Sequence, residues 1–386
     1  MRHPLNLPAS AGDTIAISCA AALVTAGVGR DGGTPAGPGN GQRPQRGASV
    51  RISEMAIFSE LKSTWSRTKE LASASYGVLK RDRYLMAFPA LSLAAVTATC
   101  AVAWAVVWIA TDGLSLNTVD DPGKWVTEPL LWIVLMVAIL LSTFASVFFT
   151  AALSYGAWER FRGGTPTFAS CMSAARARLH VIVPWAILAG LVGFVLEVLY
   201  RLPRFFRHME QAGRHIPVVG QFAAIGAMIV AIALEYVWYF VTYLVVPVLV
   251  VEETGPIASC KRSFGLFRKT WGKSLIAQVG FELIGFLLFL PGVVVAALVV
   301  AVGLGNPVAL IVGIGIGVAW LLAVIVAMSA IVGIFKMALY LYVTTGEVPG
   351  EFGGIGLEKA FTSKAALKAE REARKPLKDR RARRAR

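Results

Sequence analysis

The chain has 386 residues, of which 56% are hydrophobic and 16% charged, with a net charge of +15 and a mean hydropathy of +0.63. Soluble domains carry about 25% charged residues, so a single soluble core cannot hide this apolar surplus and lipid must cover much of it. The basic residues sit in blocks between apolar runs, which suits an anionic membrane surface, and no nucleic-acid module accompanies them.

Residues 1–54 differ from the rest, with nine glycines, five prolines and three acids, Asp13, Asp31 and Glu54. The stretch TIAISCAAALVTAGVG imitates a signal-peptide core, yet Asp13 precedes it and only Arg2 supplies charge before it. We read 1–54 as a disordered or mis-assigned extension, with translation expected to start at Met55. Residues 55–84 follow as a cytoplasmic or interfacial segment. Within it, 57–80 read as an amphipathic helix with Phe58, Leu61, Trp65, Ala72 and Leu79 near one face. Packing of that helix on the protein itself is the alternative.

Six apolar runs come next, near 85–110, 129–157, 181–200, 220–251, 274–302 and 309–344. Each is long enough to cross ~30 Å of hydrocarbon at about 20 residues. The expected fold is an all-α polytopic bundle, with a six-helix transmembrane domain over 85–344 and basic amphipathic interfacial helices. The fourth and sixth runs are overlong, and Pro184 and Pro247 are candidate kinks.

Orientation follows from loop charge. Lys plus Arg number 28 in the alternate segments 51–84, 158–180, 252–273 and 345–386, against 5 in those between them. The rich side is expected to be cytoplasmic, with both termini there, the basic tail 345–386 included, in the plasma membrane. The segment RLPRFFRHMEQAGRHIPVV at 201–219 is the exception, basic though assigned outside; either Arg201, Arg204 and Arg207 reach outer phosphates, or the span count is wrong. The first outer loop, 111–128, carries Asp112, Asp120, Asp121 and Glu128 around an Asp-Pro-Gly turn, and a solvated loop explains them better than a cation site.

Two connectors look alike: GTPTFASCMSAARARLHVIVPW from Gly164 and TGPIASCKRSFGLFRKTWGK from Thr254. Each turns with Thr, Gly and Pro, then opens a basic helix containing Ala-Ser-Cys. Pro166 and Pro256 suit the first helical position, which lacks an N–H partner. Ile257, Cys260, Phe264, Phe267 and Trp271 recur at three and four and define an apolar face; Phe168, Cys171, Met172, Ala175 and Leu179 do so in the first copy. Lys261, Arg262, Arg268, Lys269, Arg176 and Arg178 are the candidate contacts to anionic lipid. Trp65, Trp158 and Trp271 are candidate interface anchors. The stretch TTGEVPGEFGGIGLEKAF after the last span reads as a degraded third copy.

LKRDRYLMAFPALS before the first span, VVPVLVVEETGPIASCKRSFGLFRKTWGKSL after the fourth and LYVTTGEVPGEF after the sixth resemble a bacterial and archaeal polytopic membrane family of unknown function. The resemblance covers roughly 60–362 and is most specific in the second motif. It implies a cell-membrane location and about six spans, and it supplies no catalytic residues. The layout is also similar to the membrane-anchor region of some glycerophosphodiester phosphodiesterases, without their phosphodiesterase domain.

Catalytic signatures are missing from the sequence. No HExxH, Walker A or nucleophile-elbow pattern occurs, and GIGIG at 313–317 lies in an apolar run where glycines let helices approach closely. Cys19, Cys100, Cys171 and Cys260 form no framework, and His208 with His215 makes a poor metal site. No catalytic, metal or cofactor-binding residue is therefore assigned, and no cofactor is expected.

The ionisable residues within spans stand out: Glu197, Glu235, Glu282 and Lys336. Glu197 has Arg201 one turn on as a partner. Glu235 either pairs with an outer Arg or is protonated. Glu282 and Lys336 are expected to lie about 12 Å from the same membrane face on antiparallel neighbours, and hence to pair; a snorkelling Lys336 beside a protonated Glu282 is the alternative. The leading functional reading is a non-enzymatic membrane-organising or scaffold protein whose partners are anionic lipids. The alternative is a small transporter or channel using buried acids, and a membrane enzyme ranks third.

Overall fold

Every described helix traces back to an apolar run or to a connector bounded by Thr, Gly and Pro. The computed structural model describes residues 68–110, 129–211, 218–270, 273–303 and 307–353, all within one unit, Phe58–Arg386. The 1–54 extension, Trp65, the acidic loop 111–128, His215, Trp271 and the tail beyond 353 lie outside the described residues, as do the side chains of 202–221, Arg204, Arg207 and His208 among them.

Helix α1 occupies 68–81. A 3₁₀ turn at Arg83–Met86 leads into α2 (Ala87–Ala110). Next come α3 (Pro129–Phe161), α4 (Phe168–Ala177), α5 (Leu179–Gln211), α6 (Val218–Thr242) and α7 (Val245–Glu252). The chain continues with α8 (Pro256–Thr270), α9 (Lys273–Gly303), α10 (Pro307–Thr345) and one further turn, α11 (Gly350–Gly353). No strand occurs among the described residues. Among the described residues, six segments are long and apolar enough to cross a membrane: Arg83–Ala110, Pro129–Phe161, Leu179–Arg201, Ile225–Glu252, Gly280–Ala301 and Leu310–Thr345. The basic stretch that begins at 201 starts as a helical extension of the third span, since α5 runs to Gln211.

Local chemistry sets the ends. α3 stops at Gly163, whose φ of 84° places it in the left-handed region; Gly164 N–H reaches the Glu159 carbonyl and Gly163 N–H that of Arg160. This is the glycine-terminated end that closes orphan carbonyls. α4 then starts through a reciprocal box. Thr167 Oγ1 accepts the Ser170 amide at 3.1 Å, and Ser170 Oγ accepts the Thr167 amide at 2.9 Å. Pro256 opens α8 as expected, but Pro166 does not open α4, because this box fixes the start at Phe168.

The fourth span is two helices rather than one bent helix. Pro247 lacks an N–H, and its ring would clash with the carbonyl four residues back, that of Tyr243. α6 accordingly ends at Thr242 and α7 begins at Val245. The amide of Leu244, the N-cap of α7, donates to the buried Ser263 hydroxyl of α8 at 3.0 Å. The helix runs on through Pro184 in α5.

α3 and α10 are central, with α2 and α5 flanking α3, α6 on α5 and α9 along α10. Gly292, Gly313 and Gly317 let the last two spans close: an added Cβ would strike Trp320, Val299 and Ala296 respectively. Gly313 and Gly317 are the four-residue small-residue spacing that membrane helices use to pack. Pro291 lies inside α9, and Trp320 Nε1–H donates to the Leu288 carbonyl beside it at 3.0 Å.

The buried core gathers at the end where the basic connectors lie. It includes Leu79, Leu85, Phe88, Leu153, Cys171, Leu244, Phe267, Phe281, Phe335 and Phe352. Only 6% of the most apolar stretch of the first and fifth spans is fully buried within the protein, which leaves much of it to lipid. α1 buries Thr68, Leu71, Ser75, Val78 and Leu79 on one side and exposes Lys69, Glu70, Lys80 and Arg81. Its described part therefore packs on the spans, the alternative named for this helix.

Candidate functional site

The basic end is interlocked by charge across elements far apart in sequence. Asp82, after α1, receives both Nε and Nη2 of Arg160 from the end of α3. Both side chains are largely buried, at 6% and 13% exposure. Tyr84 Oη donates to the Pro166 carbonyl at 2.7 Å. Glu252 Oε1, at the end of α7, accepts Arg262 Nε from α8 at 2.9 Å and Tyr340 Oη from α10 at 3.0 Å. That carboxylate lifts the Arg262 pKa further above its ordinary value.

Arg178 sits at the joint between α4 and α5. Its Nε donates to the Val250 carbonyl at 2.7 Å, Nη1 to that of Ala174 at 3.1 Å, and Nη2 pairs with Glu253 at 2.9 Å. The guanidinium also lies 5.2 Å from the Tyr155 ring centre. Glu253 is held at φ 49°, the left-handed region, where a non-glycine residue is strained by roughly 1–2 kcal/mol. Of the six basic residues read as lipid contacts, Arg178 is thus engaged by the protein and Arg262 is bound to Glu252. Lys261, Arg268, Lys269 and Arg176 are exposed.

The apolar face read for α8 is split, with Phe267 buried and Cys260 half-buried but Ile257 and Phe264 exposed. Ser259, Ser263 and Leu266 are buried as well. In a bilayer an apolar stripe can face lipid at no loss, and small or hydroxyl residues mark the protein side. In the first copy Cys171 and Ala175 are buried, Met172 and Leu179 are half-buried and Phe168 is exposed. Burial pushes the Cys171 thiol up to about 11 and raises that of Cys260 as well. Both are packing residues with poor thiolate character. In the third copy, Phe352 of α11 is buried against Phe161 at 5.9 Å.

Among the intramembrane ions, Glu197 takes its expected partner, accepting Arg201 Nε at 2.7 Å. Glu235 accepts a hydrogen bond from Tyr200 Oη of α5, a partner the sequence reading did not consider. Glu282 and Lys336 lie at the same level on adjoining helices: their neighbours Phe281 and Phe335 meet at 4.9 Å between ring centres. Lys336 Nζ rests 4.8 Å from the centre of the Tyr243 ring. Glu282 is within electrostatic reach of Lys336, Tyr239 and Tyr243.

Tyr239 and Tyr243 are the residues that sequence reasoning missed. Their hydroxyls are buried and have no hydrogen-bond partner among the described residues, as is also true of Ser75 Oγ. The signal was their four-residue spacing below Glu235, which sets Glu235, Tyr239 and Tyr243 along one side of α6. The structure sets Lys336 on the Tyr243 ring, and it holds Glu235 through Tyr200 of α5. No group of three or more His, Cys, Asp or Glu that could hold a metal ion occurs among the described residues.

No curated protein matches the chain. The family resemblance expected over 60–362 is carried by a shorter stretch that contains Glu235, Tyr239, Tyr243, Glu282 and Lys336. Residues 215–350 match a family of unknown function (DUF6159), and the chain is an integral membrane protein similar to that uncharacterised family.

Proposed function

We propose that the protein is a non-enzymatic membrane-organising protein of the plasma membrane, with its basic end on the cytoplasmic leaflet. The observation that carries this reading is the pairing of a rigid, ion-locked core with outward basic side chains at the same end. Lys261, Arg268, Lys269 and Arg176 are exposed there on helices whose other faces are fixed by Ser263, Phe267 and Cys171. Each Lys or Arg near an anionic surface contributes about 1 kcal/mol. The test is energy transfer from labelled protein to labelled phosphatidylglycerol or phosphatidylcholine in proteoliposomes. Enrichment of phosphatidylglycerol that is lost at high salt, and lost in a Lys261→Gln, Arg268→Gln, Lys269→Gln variant, is expected. Equal transfer to both lipids sinks the reading.

A second reading, a small transporter, draws on the stripe Glu235, Tyr239, Tyr243 and its two unpartnered hydroxyls. It requires water along α6. A cysteine at 235 that a small polar thiol reagent labels from both sides of the membrane would favour it over the scaffold.

A further inference from the structure

The level of α8 in the bilayer follows from its neighbours. In α5, residues 181–200 separate His180 from Arg201, and their one charge, Glu197, is paired with Arg201. At 1.5 Å per residue this stretch measures about 30 Å, the thickness of the hydrocarbon, so one boundary falls near Val181. Val181 and Ile182 pack with Val245, Leu249 and Val250 of α7, and Arg178 Nε donates to the Val250 carbonyl, which puts Val250 at that boundary. Leu244 precedes Val250 along the fourth span and lies ~9 Å further in. The Leu244 amide donates to Ser263, and Phe267 stacks on Phe240 at 5.2 Å. The middle of α8 therefore packs on the fourth span inside the boundary. Its direction is fixed as well. At 3.6 residues per turn, Arg262 and Phe264 are on opposite sides of α8. Arg262 reaches toward the surface, to Glu252 at the end of α7. Phe264 thus points toward the bilayer interior, and is 38% exposed. Ile257, two turns earlier on the same side, is 68% exposed.

Lys261 and Arg268 each follow one of these apolar residues by a helical turn, so they flank the strip with exposed positive charge. We infer that α8 is an insertion helix that binds phospholipid in two parts. Ile257 and Phe264 seat among the acyl chains of the leaflet at the basic end. Lys261 and Arg268 reach back along their apolar stems to the phosphates of the same lipids. A second copy of the chain fits this face poorly, because it would bring Lys261 and Arg268 toward their own counterparts, whereas a phosphate complements them. The phosphate contact rests on the surface reading proposed above. The seated strip rests on the depth and direction of α8 alone.

The experiment uses the full chain in proteoliposomes, with the four native cysteines replaced. A spin label is attached in turn at Ile257→Cys, Phe264→Cys, Ala258→Cys and Lys269→Cys, the last two being exposed positions on the surface side of the helix. Its collisions with oxygen, which concentrates in hydrocarbon, are compared with those of a water-soluble nickel chelate. The ratio of oxygen to nickel collisions should be severalfold higher at 257 and 264 than at 258 and 269. Vesicles of phosphatidylcholine alone should give the same order, because the fold and not lipid charge sets the depth; the loss of phosphatidylglycerol preference that would sink the surface reading leaves this result unmoved. A benzoylphenylalanine at position 264, in a chain that keeps its cysteines, is the second measurement and serves if the cysteine-free chain does not fold. It should capture phospholipid, enriched severalfold in phosphatidylglycerol from an equal mixture with phosphatidylcholine, and Lys261→Gln with Arg268→Gln should remove the enrichment while lipid is still captured. Nickel reaching 257 and 264 as freely as 258, or capture of a second copy of the chain in place of lipid, overturns the inserted strip. Capture without enrichment in the unaltered chain overturns the phosphate contact.

Discussion

The two ends of the same helices are built differently. Near the basic end, α10 buries Ala330, Ile334, Phe335, Met337, Ala338 and Leu339, while toward its other end Val308, Ile311, Val312, Ile316, Trp320 and Leu322 are exposed. α3 repeats the contrast, with Ala151, Ala152 and Leu153 buried and Leu130, Ile133 and Leu141 exposed. Composition does not separate the halves, since both are apolar. What separates them is ion pairing between elements: Asp82 with Arg160, Glu252 with Arg262, and Arg178 with Glu253. The comparison teaches that this bundle is held together at one end and is solvated by lipid over much of the remainder.

The strongest way to break that contrast is to remove one member of the buried ion pair. Asp82→Asn leaves the Arg160 guanidinium without its counter-charge in a largely buried site, and should lower stability in detergent by about 3 kcal/mol. Unfolding followed by circular dichroism measures it. A change close to zero would mean that the interlock is decorative.

Thiol chemistry sharpens the picture next. Burial raises the Cys171 pKa from its ordinary 9.0 to about 11. At pH 8 its thiolate fraction should be roughly a hundredfold below that of an ordinary cysteine, at one decade per pH unit. Alkylation in the folded protein should therefore be nearly absent, and should appear on unfolding. The sign of the linkage follows: folding disfavours the thiolate, so the stability associated with this group is intact below about pH 9 and is lost as pH rises toward 11. Mass spectrometry of alkylated peptides reads the labelling, and rapid modification of folded Cys171 at pH 8 would contradict the buried core.

Ser263→Ala tests the joint in the fourth span. It orphans the amide of Leu244, the N-cap of α7, and should cost about 1–2 kcal/mol in the same melting assay. The smallest effect is expected away from the basic end. Glu197→Gln breaks an ion pair whose partners are 39% and 33% exposed, and should change stability by less than about 1 kcal/mol. A loss as large as that of Asp82→Asn would erase the distinction between the ends.

Much of the architecture was legible in the sequence, because a run of about twenty apolar residues has few other destinations. Six spans appeared where six were read, and the Glu197–Arg201 pair and the close approach at Gly313 and Gly317 followed from spacing. The orientation of α8 was not legible. Hydrophobic periodicity identifies a core only when the alternative is water, and beside lipid it marked an apolar face without showing that Phe267 is buried, that Ile257 and Phe264 are exposed, or that Ser259 and Ser263 face the protein. The start of α4 was misplaced because Pro166 was weighed without the Thr167–Ser170 box. At the candidate site, Glu282 and Lys336 were conspicuous as charges in apolar runs. Tyr239 and Tyr243 were not, since a tyrosine there is ordinary until its hydroxyl is seen to lack a partner. Asp82 and Arg160 are 78 residues apart, and no local pattern joins them.

One matched substitution on a single helix tests the central claim most directly. Leu339 and Leu322 both lie on α10; the first is fully buried at the basic end and the second is 42% exposed in the lipid-facing half. Leu→Ala at each position removes the same atoms with the same change in helix propensity. Leu339→Ala should lower unfolding stability by about 2–5 kcal/mol through the cavity it leaves, whereas Leu322→Ala should lower it by less than about 1 kcal/mol, because lipid or detergent fills the space. Equal losses at the two positions would contradict a fold held at its basic end.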